Sequence, residues 1–264
     1  MQYHGVLQKM QTDLQETIQY YMMFDGDVLN MNQLLNKTLS ISFDKFQCMN
    51  CAKNKEIYRQ GFCKSCFFEA PQAGDWIMHP EKSTAHLGIA DRDLEYEQRV
   101  QLQPHIVYLA LSSNVKVGVT RKTQVPTRWI DQGAVQALPI VETPNRYLAG
   151  IAEVALKNYV ADKTNWRAML KNEVPEADLM VVKKELVQYL PEEVHPYILE
   201  QDSLFELNFP VEAYPQKIKS LNLSKTPEYS GVLKGVKGQY LIFEDNTVFN
   251  VRNNEGLVVN LEVQ

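Results

Sequence analysis

Short stretches in which apolar and polar residues alternate dominate both ends of the chain, while the middle carries longer apolar runs and helical spacing. Over residues 1–46, the segments YHGVLQKM, QYYMMF, VLNMN and LSISF read as strands, with a turn at Asp25-Gly26-Asp27. The C-terminal stretch follows the same plan. Tyr229-Ser230-Gly231-Val232-Leu233 echoes Tyr3-His4-Gly5-Val6-Leu7, and QYLIFEDNTVFNVRNNEGLVVNLEV echoes QYYMMFDGDVLNMNQLLNKTLSISF. Gln19, Tyr20, Phe24 and Asn30 then correspond to Gln239, Tyr240, Phe243 and Asn250. Half-sheets of this size cannot each bury an apolar face alone, so the chain ends are expected to meet in one pseudo-symmetric β-domain.

The centre changes character. IVYLAL (106–111) reads as a buried strand and VKVGVT (115–120) as a second. PTRWIDQGAVQAL (126–138) opens with Pro126 before helix-compatible residues. Residues 144–159 place Leu148, Ile151, Ala152, Ala155 and Leu156 on one helical face, and 175–190 form another helix. Two strands followed by helices predict an α/β module. The fold class expected is therefore α+β multidomain: an N-terminal β half (1–46), a ribbon and linker (47–100), an α/β module (101–200) and a C-terminal β half (201–264). The two halves together would build a small β-barrel-like domain, with size and turns that suit an SH3-like or OB-like barrel equally.

All the cysteines lie in residues 48–66, as CMNC and CKSC. Each CxxC turn brings two thiolates and backbone amides onto one ion, and two such turns complete a closed tetrahedral Cys₄ zinc site at Cys48, Cys51, Cys63 and Cys66. The alternative, two disulfides in a secreted protein, would close only tiny loops, and the start MQYHGVLQKM has no basic segment leading into an apolar one. Gly61 suits the tight return of a ribbon hairpin, and Lys53, Lys55, Arg59 and Lys64 decorate it, either to touch phosphate or as a solvated face. His79 and His86 flank Glu81 with no recognisable ligand spacing, so no second metal is assigned.

The net charge of −5 argues against a broad basic surface that coats DNA, and no apolar run approaches the roughly 20 residues that cross a bilayer. A soluble cytoplasmic protein without a membrane partner is expected. Charge is nevertheless uneven. Between residues 101 and 171 the cations Lys116, Arg121, Lys122, Arg128, Arg146, Lys157, Lys163, Arg167 and Lys171 face the anions Asp131, Glu142, Glu153 and Asp162. This basic stretch inside an acidic chain points to phosphate contact by Lys116, Arg121, Lys122 and Arg128.

Within that stretch Tyr108 lies in the first strand, Gly118 and Thr120 in the second, Arg128 on the next helix, Glu153 on a later helix and Asn165 beyond it. This order resembles the GIY-YIG nuclease superfamily over about residues 104–170. The resemblance implies that Tyr108 activates or orients a water, Arg128 stabilises charge on a cleaved phosphate and Glu153 holds Mg²⁺. Lys116 stands where the family has its second tyrosine, so the fold is implied more strongly than the catalysis. Nearly the whole chain also resembles an uncharacterised domain family, through YLALSSNVKVGVTR, PTRWIDQGA, DKTNWRAML and GVLKGVKGQYLIF. That family commonly carries further cysteines after the ribbon, which are missing from DWIMHPEKSTAHLGIADRDLEYE.

Each residue singled out also has a plain structural role: Tyr108 as a core aromatic, Glu153 as the ion-pair partner of Arg146 or Lys157, Trp129 and Trp166 as packing anchors. Three functions follow in order of support. The first is a zinc-containing nucleic-acid-binding protein, contacting DNA or RNA. The second is a Mg²⁺-dependent endonuclease using Tyr108, Arg128 and Glu153; the third is a catalytically inactive scaffold that docks a protein partner. No GxGxxG, GxxxxGK[ST] or GxSxG motif is present, which removes the dinucleotide, nucleotide-hydrolysis and serine-hydrolase readings.

Overall fold

The computed structural model describes residues 1–161 and 163–264, so Asp162, one of the anions weighed above, lies outside the described residues. In chain order the elements are β1 (Gln2–Val6), β2 (Gln11–Asp13), β3 (Gln19–Phe24), β4 (Asp27–Asn30), β5 (Thr38–Phe46), β6 (Ile57–Arg59), β7 (Phe62–Cys63) and α1 (Lys64–Glu69). Next come α2 (Leu94–Gln101), β8 (His105–Leu111), β9 (Val115–Arg121), α3 (Thr127–Asp131), β10 (Gln136–Thr143), α4 (Arg146–Leu156), α5 (Trp166–Leu170) and α6 (Leu179–Leu186). The chain ends with β11 (Phe205–Glu206), β12 (Lys219–Ser220), β13 (Glu228–Lys237), β14 (Tyr240–Phe243), β15 (Thr247–Asn250) and β16 (Leu257–Val263). The whole is mixed α+β, in two compact units: residues 1–68 with 208–264, and residues 69–207. No helix among the described residues is long and apolar enough to cross a membrane.

The first unit is organised by the internal repeat. Its seven-stranded sheet runs β1-β16-β5-β13-β14-β15-β12. At its centre Ile41 of β5 pairs with Leu261 of β16, its own counterpart in the repeat. Outward from there, Tyr3↔Leu261 and Gly5↔Val259 are mirrored by Tyr229↔Ile41 and Gly231↔Leu39. The two halves are thus related by a pseudo-twofold that preserves register, as expected where one face is buried and a one-residue slip would turn every side chain over. Equivalent contacts accompany it. Tyr3 stacks on Phe24 at 5.8 Å and Tyr229 packs edge-on against Phe243 at 4.8 Å. Asn30 accepts from the Asn32 amide and Asn250 from the Asn253 amide, each at 2.9 Å.

The barrel expected from these strands does not form. The sheet stays open, with β1 and β12 at its edges. Closure requires the first and last strands to meet, whereas the pseudo-twofold adds β1 and β13 on opposite sides of the central β16/β5 pair. The repeat also diverges: β14 and β15 extend the main sheet, but β3 and β4 leave it and join β2 in a separate three-stranded sheet.

The second unit holds a four-stranded antiparallel sheet, β11-β10-β8-β9. Every residue of β8 is buried, as its continuous apolar run requires. Strand β10 escapes a sequence reading because Pro139 interrupts it. The register shifts between Pro139 and Val141, and this irregularity accommodates a residue with no amide to donate. The helix expected through 126–138 is cut to α3, because Gly133 at φ +67° turns the chain back into β10.

Helix α4 shows a second departure. Ala149, Ala152 and Leu156 pack with Val107, Leu109, Leu138 and Ile140 in one core, while Leu148, Ile151 and Ala155 are only half-buried. Its other side is covered too. Arg146, Gly150 and Glu153 are buried, and a methyl group on Gly150 would collide with the backbone of Pro80 and Glu81. The expected helix over 175–190 is α6, which starts where Asp178 accepts from the Met180 and Val181 amides.

Candidate functional site

The ribbon brings its cysteines together by short-range geometry. β6 and β7 form a hairpin whose return uses Gly61 at φ +76°, and Cys66 follows on α1. All four sulfurs lie within 4.8 Å of one another, which suits thiolates about 2.3 Å from a common zinc-sized ion. The cysteines are free thiols, with Cys48, Cys63 and Cys66 buried and Cys51 half-buried. The Cys63 amide donates to Cys48 Sγ at 3.3 Å.

Crowding splits their ionisation. The Ser65 hydroxyl and the Cys66 backbone hold Cys63 down to about 6. Burial works to raise Cys48, but hydrogen bonds from the backbone of Cys51, Cys63 and Asn50 bring it below the ordinary thiol value. At Cys66 a hydrogen bond to Asn50 pulls down, and burial and the other three thiols push it up to about 11. A divalent cation held there would supply the positive charge that lets four such groups all sit as thiolates. The four residues fit a closed metal site. Among the described residues they are also the one group of three or more His, Cys, Asp or Glu side chains close enough to share an ion.

The second cluster belongs to the α/β unit. Tyr108 pairs across the β8/β9 hairpin with Gly118, and a methyl at 118 would stand 2.7 Å from the Tyr108 hydroxyl. The phenol is fully buried and donates to Gln132 Oε1 at 3.0 Å. Burial raises its pKa; Arg128 on α3 and the Gln132 hydrogen bond offset this in part, and Glu153 adds to the rise. Glu153 on α4 is buried and lies 3.3 Å from Lys157 Nζ. Burial also lifts the Glu153 carboxyl above its ordinary value, with Lys157 and Arg146 pulling it down and Glu81 pushing it further up. Tyr108, Arg128 and Glu153 therefore share one electrostatic neighbourhood.

Gln132 has no signature in the sequence, and nothing there ties Glu81 to Glu153 or Arg146 to the backbone of Trp76 and Ile77. Gln132, the residue that caps the C-terminus of α3, accepts the Tyr108 hydrogen bond. Arg146 is buried, donates to the Trp76 and Ile77 carbonyls at 3.1 and 2.8 Å, and is pushed down to about 10 by its burial. The Glu81 charge is felt at Glu153 from the Pro80–Lys82 turn packed on Gly150. A buried arginine tied to two carbonyls fastens the residue 76–82 segment over α4, which no local spacing announces. Asn165 caps α5, accepting from the Arg167 and Ala168 amides. His79 lies 3.4 Å from Glu81, and His86 stacks on Tyr147 at 4.6 Å.

The cations of this unit are unequal. Lys116 is 5% exposed, on a strand bridged to Ala161. Lys122 pairs with Glu142 at 2.7 Å. Arg121 and Arg128 are half-buried, and Arg167 lies over the Trp166 ring at 4.1 Å.

A ribbon whose four clustered thiols could hold a metal ion, a pseudo-symmetric sheet and an antiparallel sheet packed with helices together define a mixed α+β protein. The chain belongs to the family described as protein of unknown function (DUF2797), which it matches over residues 36–259. Neither a curated protein nor a solved structure matches it.

Proposed function

We propose that this protein binds nucleic acid, that Cys48, Cys51, Cys63 and Cys66 hold a structural zinc ion, and that the unit around β8, β9, α3, β10 and α4 is a divergent GIY-YIG-like module. The carrying observation is the cross-strand pair Tyr108↔Gly118 with Arg128 and Glu153 in its electrostatic neighbourhood. It supplies the ordered hairpin, helix and glutamate of the resemblance from separate elements. Zinc fits because four thiols with no room for a fifth ligand prefer a soft, tetrahedral ion. Such a site holds the ribbon together and performs no reaction.

Binding is favoured over catalysis by the burial of the Tyr108 hydroxyl and its engagement with Gln132, which keep it from a substrate water. Arg121 and Arg128 are then the phosphate contacts, with Lys122 available once it leaves Glu142. The test is fluorescence anisotropy with duplex and single-stranded DNA and RNA across a salt series. Affinity should fall steeply with salt, and Arg128→Ala should weaken it several-fold and flatten the salt slope by about one. No binding at low ionic strength overturns the reading.

The second reading, an endonuclease with Mg²⁺ on Glu153, draws on the raised pKa and burial of that carboxylate. Mg²⁺ is commonly held by one or two carboxylates together with substrate phosphates, so Glu153 with Glu81 would be the protein's share. Incubation with nucleic acid and Mg²⁺ or Mn²⁺ decides it: cleavage lost in Glu153→Ala supports the reading, and no cleavage by the native chain ends it.

A further inference from the structure

The ribbon has two faces with different contents. Ile57 and Phe62 pack against the thiols. Tyr58, the next residue of β6, falls where the register with β7 shifts between Ile57 and Arg59, and its ring is exposed rather than packed on the thiols. There it meets Phe67 and Phe68 of α1, with ring centroids 5.3 and 5.8 Å from Tyr58 and 5.4 Å from each other. Tyr58 is 45% and Phe68 57% exposed, so two of three mutually packed rings present surface to solvent. The Arg59 guanidinium lies 5.4 Å from the Tyr58 ring centre.

The charge around these rings is positive. Residues 46–69 carry Lys53, Lys55, Arg59 and Lys64 against Glu56 and Glu69, in a chain whose net charge is −5. All four cations are exposed. Lys122 and Lys157 of the α/β unit are tied to carboxylates, whereas none of these four is in an ion pair among the described residues. Exposed aromatic rings interleaved with free cations have a defined complement. Unpaired bases stack on the rings while the connecting phosphates meet the cations. A duplex hides its base faces and cannot use the rings.

We propose that the Tyr58–Phe67–Phe68 face of the ribbon is a stacking platform for a single-stranded stretch of nucleic acid, with Arg59 and the neighbouring lysines on its phosphates. The inference rests on the nucleic-acid reading above but concerns a different surface. It gives the ribbon a role besides holding its metal.

The test uses the full zinc-loaded chain and short fluorescein-labelled oligothymidylate and oligouridylate, a matched duplex, and an abasic oligonucleotide with the same number of phosphates. Stacking predicts that native protein prefers the single strand to the duplex and binds the abasic strand about ten-fold or more weakly than the intact one. Tyr58→Ala and Phe68→Ala should each weaken single-strand binding by about ten-fold with zinc content unchanged, and both should abolish the quenching of a 2-aminopurine placed in the strand. Equal affinity for abasic and intact strands overturns the platform, and does so without any variant, so loss of zinc in a variant cannot obscure the answer. If Arg128→Ala weakens binding but the two ring variants do not, the platform is overturned and the wider reading stands. No binding to any probe at low salt overturns both. A protein partner released by the ring variants, with oligonucleotide binding unchanged, also overturns the platform.

Discussion

The four thiols of the ribbon come from residues 48–66, on two turns that close on each other through one hairpin. Tyr108, Arg128 and Glu153 come from a strand, a short helix and a longer helix, and meet only after Gly133 has turned the chain into β10. The first cluster is self-contained: each thiol is positioned by its neighbours in sequence, and the binding energy of an ion held there would be folding energy for the ribbon. The second is a product of the whole unit. Glu153 is buried and paired with Lys157, Arg128 is half-buried, and the stretch Trp76 to Glu81 packs on the same helix through Arg146 and Gly150. A local site should therefore fail by losing its ion, and a composite site by losing its packing.

The largest effect expected separates the two most cleanly. Cys48→Ser or Cys66→Ser should release zinc, measured by atomic emission, and expose the ribbon to limited proteolysis, since structural zinc sites are worth on the order of 10 kcal/mol. The β8–β10 unit should keep its protease resistance; if both units unfold together, the ribbon is not a self-contained site. Gly150→Ala should act on the other side alone. Helix propensity favours the substitution by about 1 kcal/mol, but the collision with the Pro80–Glu81 backbone should give a net loss of about 2–3 kcal/mol in urea unfolding, with zinc retained.

A smaller and more diagnostic effect concerns pH. Burial holds the Glu153 carboxyl above its ordinary 4.5, so the folded state keeps a proton that the unfolded chain releases. Stability contributed by that proton is greatest at or below 4.5 and is lost as pH rises to the folded-state value, above which the contribution is flat. Glu153→Gln remains neutral throughout, so the difference between native and variant unfolding free energies should change across that window and level off beyond it. An unchanging difference would mean that Glu153 is solvated. The smallest effect is expected at Lys122, whose exposed pair with Glu142 should contribute about 0.5 kcal/mol or less, so Lys122→Ala should leave the melting temperature nearly unchanged.

Several features could be read along the chain because their causes are local or periodic. The CxxC pairs announce a thiol cluster, and a buried strand announces itself by an unbroken apolar run. The pairing of Asn30 with Asn250 followed from serial similarity, and both side chains do accept a hydrogen bond from a backbone amide just beyond. Other features required the fold. Pro139 disguised β10, Gly133 cut a helix that composition favoured, and the open sheet replaced the expected barrel because repeat symmetry, invisible in any one strand, set which edges remain free. The basic stretch shows the same limit: counting cations from 101 to 171 could not reveal that Lys116 is buried and Lys122 paired.

By itself the sequence determined the clustering of the four thiols, the repeat and most strands, since thiol spacing and side-chain alternation act over a few residues. Only the tertiary structure decided which cations face solvent, which carboxylate is buried beside Arg146, and which rings of the ribbon are left uncovered. Burial and electrostatic environment belong to neighbours that come together from far apart along the chain, and no local pattern encodes them.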